Sequence, residues 1–287
     1  MDHSQHGVTG YIGGDVFYAL HQAHPDWEYS LLICNKDKGA QVAKKYPSAR
    51  IVYGDLDLLD IIEKEVKNAN IIYPIAKGLA HHTPRNPVWL IHTSGTGILT
   101  IEDFRTNTFG LYRTKEHNDW EGVDELVNLP ADSLHRKVDE IIFAAGPANP
   151  TSVHTAIICP PTIYGPNRGP SNTKSVQAYW LAAAVLKRRK GLLIGEGKNI
   201  WHQVHVQDLS DVYCLLGDAA AAGGEVEPLS DAQVMEMDHF ALYALGTCSR
   251  GHSLRARKLL GWSPSKPSLM ELIPSIVDLE AKALGLA

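Results

Sequence analysis

The 287-residue sequence predicts an α/β fold, a doubly wound and mostly parallel sheet followed by a small C-terminal lobe. Three observations carry that prediction. A glycine-rich turn, Gly7-Val8-Thr9-Gly10-Tyr11-Ile12-Gly13-Gly14, runs straight into an amphipathic stretch. The apolar runs Pro87–His92 and His154–Cys159 have strand length and the continuous hydrophobicity of strands buried on both faces. Between them Leu134, Val138, Ile141, Ile142 and Ala145 recur at helical spacing, which gives the strand, helix, strand order of a parallel sheet.

The glycine turn is suited to holding a phosphate. Gly7 permits a tight turn, Gly10 lets the backbone approach a pyrophosphate with no Cβ between, and Gly13 allows close helix packing. Backbone N–H groups at the helix start then face the anion. Val16, Tyr18, Ala19 and Leu20 supply the apolar residues of that helix, and Pro25 ends it. Tyr29–Cys34 is the next strand, and Asn35-Lys36-Asp37-Lys38 follows it where an adenosine ribose would lie. The segment Met1-Asp2-His3-Ser4-Gln5-His6 has no β-branched residue and five polar side chains in succession. The first strand of the sheet, central in such folds, is therefore expected to be missing.

Ala40–Lys45 continues a short helix, and Ala49–Tyr53 is a strand ending at Gly54-Asp55-Leu56. Asp55 stands where it can accept from an adenine amino group, and equally where it or Asp57 can cap the helix through Leu58, Leu59, Ile61, Ile62 and Val66. Ala69–Tyr73 begins a further strand, but Pro74 follows and the crossover to Pro87 has almost no room for a helix. Pro87–His92 delivers Thr93-Ser94-Gly95-Thr96-Gly97 to its C-terminal end, where ligands sit in open α/β sheets, so Ser94 is a site candidate. His154–Cys159 delivers Pro160-Pro161-Thr162-Ile163-Tyr164-Gly165-Pro166 to the same edge. In the second half, Ser175–Lys190 is a helix with Val176, Tyr179, Trp180, Ala183 and Leu186 inward and a solvated basic end, Lys187 to Lys190. Asp208 is expected to cap the helix through Val212 and Leu216, and Ser268-Leu269-Met270-Glu271 is a capping box. Residues 223–240 carry acids without Lys or Arg.

Composition narrows the class. With 44% hydrophobic residues the chain can bury one large core or two unequal lobes. No apolar run is long enough to cross a bilayer and the polar N-terminus has no signal-peptide core, so a soluble, cytoplasmic protein is expected. The net charge of -5 does not suggest a nucleic-acid surface. Cys34, Cys159, Cys214 and Cys248 have no paired spacing for zinc or redox work and read as buried free thiols.

Taken in order, Gly7 to Gly14, Gly54-Asp55-Leu56, Thr93-Ser94-Gly95, Pro160 to Pro166, Val204-His205-Val206-Gln207-Asp208-Leu209 and Leu260-Gly261-Trp262-Ser263-Pro264 resemble the landmarks of the extended and atypical short-chain dehydrogenase/reductases, close to the NAD-dependent epimerase/dehydratase branch. The resemblance spans nearly the whole chain. It implies a Rossmann-type NAD(P)-binding domain over 1–170, to which 203–222 returns, and a substrate lobe over 171–287 that looks shortened beside the family. Carried over residue by residue, it implies cofactor contacts at Gly7, Gly10, Tyr11, Ile12, Gly13, Asn35, Lys36, Asp55, Leu56, Thr93, Pro160 and Thr162. The implied function is oxidoreduction or epimerisation of a small hydroxylated or carbonyl metabolite, with no nucleic-acid or membrane partner. NADP is slightly favoured over NAD, because no acid ends the Tyr29–Cys34 strand.

The departures concern the chemistry. The family uses a Tyr and, four residues later, a Lys on the helix preceding the Pro-Pro-Thr-Ile-Tyr-Gly strand, and counting back from Ile141 to Ala145 these positions hold Ala131 and His135. Tyr112-Arg113-Thr114-Lys115 has the wrong spacing by one. His135 and Asp139, four apart on one helical face, could replace the missing acid/base alongside Ser94, or form a solvated pair with no catalytic role. Two readings remain beside an active reductase: a catalytically inactive nucleotide-binding sensor or partner-binding protein, and an incomplete chain of an active relative, expected to fold poorly and show no turnover. Replacing Gly10 by Val is expected to abolish nucleotide binding by calorimetry while circular dichroism stays nearly unchanged, because the Cβ intrudes only where backbone meets pyrophosphate.

Overall fold

The computed structural model describes residues 7–73, 79–222, 249 and 251–286. Residues 1–6, most of the segment after Tyr73, the acidic stretch 223–240 and Cys248 lie outside the described residues, and with them the expectations for a first strand and a shortened lobe.

From the glycine turn the chain enters helix α1 (Tyr11–Ala23), strand β1 (Ser30–Ile33), α2 (Lys36–Lys45), β2 (Arg50–Tyr53), α3 (Leu59–Lys67) and β3 (Ile71–Ile72). Among the described residues of the crossover a 3-10 turn, Leu79–His81, precedes β4 (Val88–Thr93). Next come α4 (Ile101–Thr106), β5 (His117–Asn118), α5 (Val123–Val127), α6 (Arg136–Ala148), β6 (Val153–Ile158) and β7 (Thr162–Tyr164). The remainder is α7 (Gln177–Arg188), β8 (Gln203–His205), α8 (Val206–Ala221), β9 (Gly251–His252), α9 (Leu254–Leu260) and α10 (Leu269–Ala283).

Every ladder is parallel. The order is β3-β4-β6 in the longest sheet, with β1-β2, β7-β8 and β5-β9 as separate pairs, and among the described residues no strand bridges β1 to β3. Helices cover both faces, as a doubly wound sheet requires. Tyr11, Ile12, Val16 and Leu20 of α1 pack with Val206, Leu209, Val212 and Tyr213 of α8 on one side of Ile91. Ile62 and Val66 of α3 and Ile142 of α6 pack on Val88 and Leu90 from the other side. A third cluster, Val8, Phe17, Ile33, Val42 and Tyr46, joins α1 to β1 and α2.

Several local expectations are corrected by the packing. Helix α6 turns Arg136, Asp139, Ile142 and Gly146 inward, so Val138 and Ile141 of the apolar set at helical spacing are exposed. In α7 Tyr179 is buried but Trp180 faces solvent, because α10 packs on only one stripe of that helix. Neither Asp55 nor Asp57 caps α3, whose N-cap is Leu58; the Asp55 carboxylate instead accepts the Asp57 N–H at 3.0 Å. His205 is the N-cap of α8, and Asp208 reaches out to accept the Ser265 and Lys266 N–H groups (2.7 and 3.2 Å), pinning the segment before α10. Cys34 and Cys159 are exposed rather than buried, because each stands at the C-terminal end of a strand. The capping box at Ser268 and Glu271 is formed.

One polar latch ties the N-terminal helix to the second half. Asp15, fully buried, accepts from the Arg168 backbone N–H (2.7 Å), from both Arg168 Nε (3.0 Å) and Nη2 (2.7 Å), and from the Ser210 hydroxyl (2.8 Å). Here loop and helix backbones touch: a Cβ on Gly169 would lie 2.7 Å from Gly14 Cα. Replacing Asp15 by Ala strands the Arg168 guanidinium at this junction, while the Ser210 hydroxyl keeps the Val206 carbonyl at 3.0 Å. We expect a loss of about 3 kcal/mol, the lower end for breaking a buried pair because Arg168 keeps some solvent, read from denaturant unfolding.

Candidate active site

Strand alternation and register assemble the site. Along β4, Leu90, His92 and Ser94 share the face turned to α6, whereas Ile91 and Thr93 face α8. The β4–β6 pairing continues past both strands: Ser94 N–H donates to the Ile158 carbonyl at 2.8 Å and Thr96 N–H to the Pro160 carbonyl at 2.9 Å. That register sets Cys159 beside Ser94 on the neighbouring strand end.

The Ser94 hydroxyl donates to Asp139 Oδ2 at 2.7 Å, and His92 Nε2 lies 3.3 Å from Asp139 Oδ1. Asp139 is 2% exposed, Ser94 7% and His92 8%, so the cluster is almost dry. Cys159 is exposed at the strand end beside them. His135 does not lie on the helix with Asp139, as the sequence had suggested. It is the N-cap of α6, in the left-handed region at φ 67°, because the chain turns sharply there before the helix begins. Its exposed ring rests over Gly95, where a Cβ would come within 2.9 Å of Nε2. Ser94, His135 and Asp139 are thus neighbours, but Asp139 addresses Ser94 and His92 and is no solvated partner of His135. His92 and Cys159 were missed by sequence reasoning. The period of two along β4 could have found His92, two residues before Ser94, while Cys159 depends on a register that the sequence does not print.

At the other end of the edge, the start of α1 has no side-chain cap; Gly10, in an extended conformation, is the N-cap, and its N–H donates to the Gly7 carbonyl at 2.7 Å. Among the described residues nothing fills the space beside Gly7. Gly13 follows in the first turn, Tyr11 and Ile12 are buried, and the Tyr11 hydroxyl donates to the Gly165 carbonyl. Asn35 caps α2, accepting the Lys38 N–H at 2.9 Å, with Lys36 exposed beside it; Asp55 and Leu56 are exposed after β2. The Thr93 hydroxyl is bound to the Tyr213 hydroxyl, which turns that side chain toward α8. Pro160 and Thr162 are buried, Pro160 with its carbonyl engaged by Thr96 and Thr162 in the ladder with Gln203. A surface cavity of about 460 Å³ lined by Val185, Leu186, Arg189, Lys190, Gly191 and Leu286 lies at the C-terminal end of α7 and contains none of these groups. Among the described residues no group of three or more His, Cys, Asp or Glu is arranged to hold a metal ion, and no helix is long and apolar enough to cross a membrane.

No family model matches the chain. A curated relative, the oxidase ucsJ of an Acremonium species, is 30% identical over 340 residues, covering 98% of each chain. That alignment is longer than the 287 residues here, so it carries gaps on this side. Among solved structures, a double mutant of the dTDP-glucose 4,6-dehydratase DesIV from Streptomyces venezuelae, with NAD and DAU bound, superposes with a TM-score of 0.60 at 14% identity, over 96% of this chain and 95% of that one. Yeast methylglyoxal/isovaleraldehyde reductase complexed with NADPH gives 0.60 at 12% identity over 98% of both chains. The UDP-glucuronic acid 4-epimerase of Bacillus cereus gives 0.59 at 12%, over 96% and 98%. These structures share the fold. Replacing Gly95 by Ala is expected to displace the His135 ring, seen as a shift of its imidazole resonances by NMR, with thermal unfolding little changed because the group that must yield is the exposed end of a flexible side chain.

Proposed function

Since the chain belongs to the NAD-dependent epimerase/dehydratase type of short-chain dehydrogenase/reductases, as a relative of the oxidase ucsJ along nearly its whole length, we propose that it is an NAD(P)-dependent oxidoreductase acting on a small hydroxylated or carbonyl metabolite. The observation that supports this reading most is the shared edge: the bare start of α1 is held by Tyr11 to Gly165, just past β7, and the Ser94–Asp139 pair stands just past β4.

The residues fit a dinucleotide. A 13-residue helix with an uncapped start, and the space beside Gly7 that no described residue fills, receive the pyrophosphate on backbone N–H groups. Asn35 and Lys36 at the end of β1 meet the adenosine ribose, with Asp55 beyond them. A bound NAD(P) supplies the hydride chemistry. Ser94 then orients the substrate oxygen, and His135, exposed over Gly95, gives or takes its proton in place of the tyrosine that the family uses. Imidazole suits that task because its ordinary pKa lies near neutrality. Asp139, at 2% exposure, is a positioning residue and does not meet substrate.

The absence of the Tyr and Lys pair favours a second reading, a nucleotide-binding sensor without turnover. Calorimetric titration with NADP and NAD, followed by a nicotinamide-absorbance assay against small alcohols and carbonyls, separates the two. We expect binding with a modest preference for NADP, since Lys36 can neutralise a 2′-phosphate and no acid repels it. NAD bound tenfold more tightly, about 1.4 kcal/mol, would contradict that preference.

A further inference from the structure

We propose that the C-terminal end of α7, with the turn that follows it, is a docking surface for an anionic lipid bilayer: Lys187, Arg188, Arg189 and Lys190 meet headgroup phosphates while Trp180, Leu181 and Leu193 enter the apolar boundary beneath. None of these residues belongs to the cleft around Ser94, so the oxidoreductase reading is not needed. From Arg168 to Gly195 the chain has no Asp or Glu. Of the cations in that stretch, Arg168 is bound to Asp15 and Lys174 to Glu280. The four consecutive ones after Leu186 are exposed, and among the described residues none of them pairs with a carboxylate. A chain of net charge -5 thus gathers unpaired positive charge in one place. Cations favour a helix C-terminus, but that preference does not call for apolar side chains in water beside them.

Such side chains are there. At about 100° per residue, Trp180, Leu181, Ala184, Lys187 and Arg188 fall on one arc of α7, turned away from the buried Tyr179. Arg189, left-handed at φ 53°, ends the helix, and the chain after it returns beside α7. Leu193, 75% exposed, and Leu181 line one surface cavity of about 160 Å³ there. Leu286, also exposed, lines the 460 Å³ cavity with Arg189 and Lys190. Lys and Arg ends reach up to phosphates, an indole sits at headgroup level and leucines enter the acyl boundary, so the pattern suits a bilayer. A nucleic acid would answer the charge and leave Leu193 in water. No helix need cross the membrane for docking of this kind. This departs from the expectation of no membrane partner.

Co-sedimentation of the full chain with phosphatidylcholine vesicles, with and without phosphatidylserine, provides the test. We expect binding only when phosphatidylserine is present, and release when salt rises from about 0.1 M to about 1 M, which shortens the screening length from about 10 Å to about 3 Å. Replacing Arg188 and Lys190 together by Gln should weaken binding about twenty-fivefold, since each cation near such a surface contributes about fivefold. Leu193→Ser, which leaves the charge untouched, should weaken it about threefold. Quenching of tryptophan emission by bromine-labelled lipid should fall in Trp180→Phe. All these side chains are exposed, so thermal unfolding should not change; the salt series uses the unaltered chain and serves if a variant does not fold. Absence of binding to phosphatidylserine vesicles overturns the proposal. So does binding that Leu193→Ser leaves unchanged and duplex DNA competes away, the mark of a general polyanion site. Failure to bind NAD(P) would sink the oxidoreductase reading and leave these results as they are.

Discussion

The β4–β6 ladder is the constraint on which the rest depends. Six paired residues, from Val88 with Val153 to Thr93 with Ile158, hold two strands that are far apart in sequence in one register, and two more backbone hydrogen bonds carry that register beyond the strands. A slip by one residue would turn Leu90 and His92 from α6 to α8 and take Ser94 away from Asp139. The apolar residues forbid such a slip: Val88 and Leu90 are fully buried against α3 and α6, and Ile91 is equally buried on the opposite side. Core packing thereby sets the position of a polar group at the strand end.

The second structural demand is to bring the glycine turn to the same edge. Helix α1 reaches it by packing along α8, and Asp15 locks that arrangement by receiving four hydrogen bonds from Arg168 and Ser210. The contact of Gly14 with Gly169 shows how closely the loop after β7 is drawn over the helix. Burying a carboxylate this completely is tolerable only because each bond comes from a strong or well-placed donor. The N-terminal turn of α1 keeps its own N–H groups clear of side-chain caps, so the latch holds the helix from one turn further along and leaves its start bare.

The sheet itself is divided. β1 pairs with β2 and β3 with β4, while the bridge between the two groups is made among the described residues by helices and aromatic side chains. Phe17 packs edge-on to Tyr29 and Tyr46, the Tyr29 hydroxyl donates to the Leu20 and His24 carbonyls, and Tyr73 meets Tyr213. Large rings suit this role because they span a wide gap while their hydroxyls satisfy stray carbonyls.

The sequence by itself determined the α/β class, most strand positions and the capping box at Ser268, because periodicity, glycine placement and capping chemistry act over a few neighbouring residues. It also marked Ser94, since the end of an apolar run is legible without any partner. The surroundings of Asp139 and His135 were decided only by tertiary structure. A helical pattern cannot say where the helix starts, and the left-handed turn at His135 moved that residue off the face it seemed to share with Asp139. The burial of Asp139, the reach of Asp208 to Ser265 and the placing of Cys159 beside Ser94 likewise depend on which distant segment packs alongside. Such partners are chosen by the shape and register of the whole core, and no local stretch of sequence encodes them.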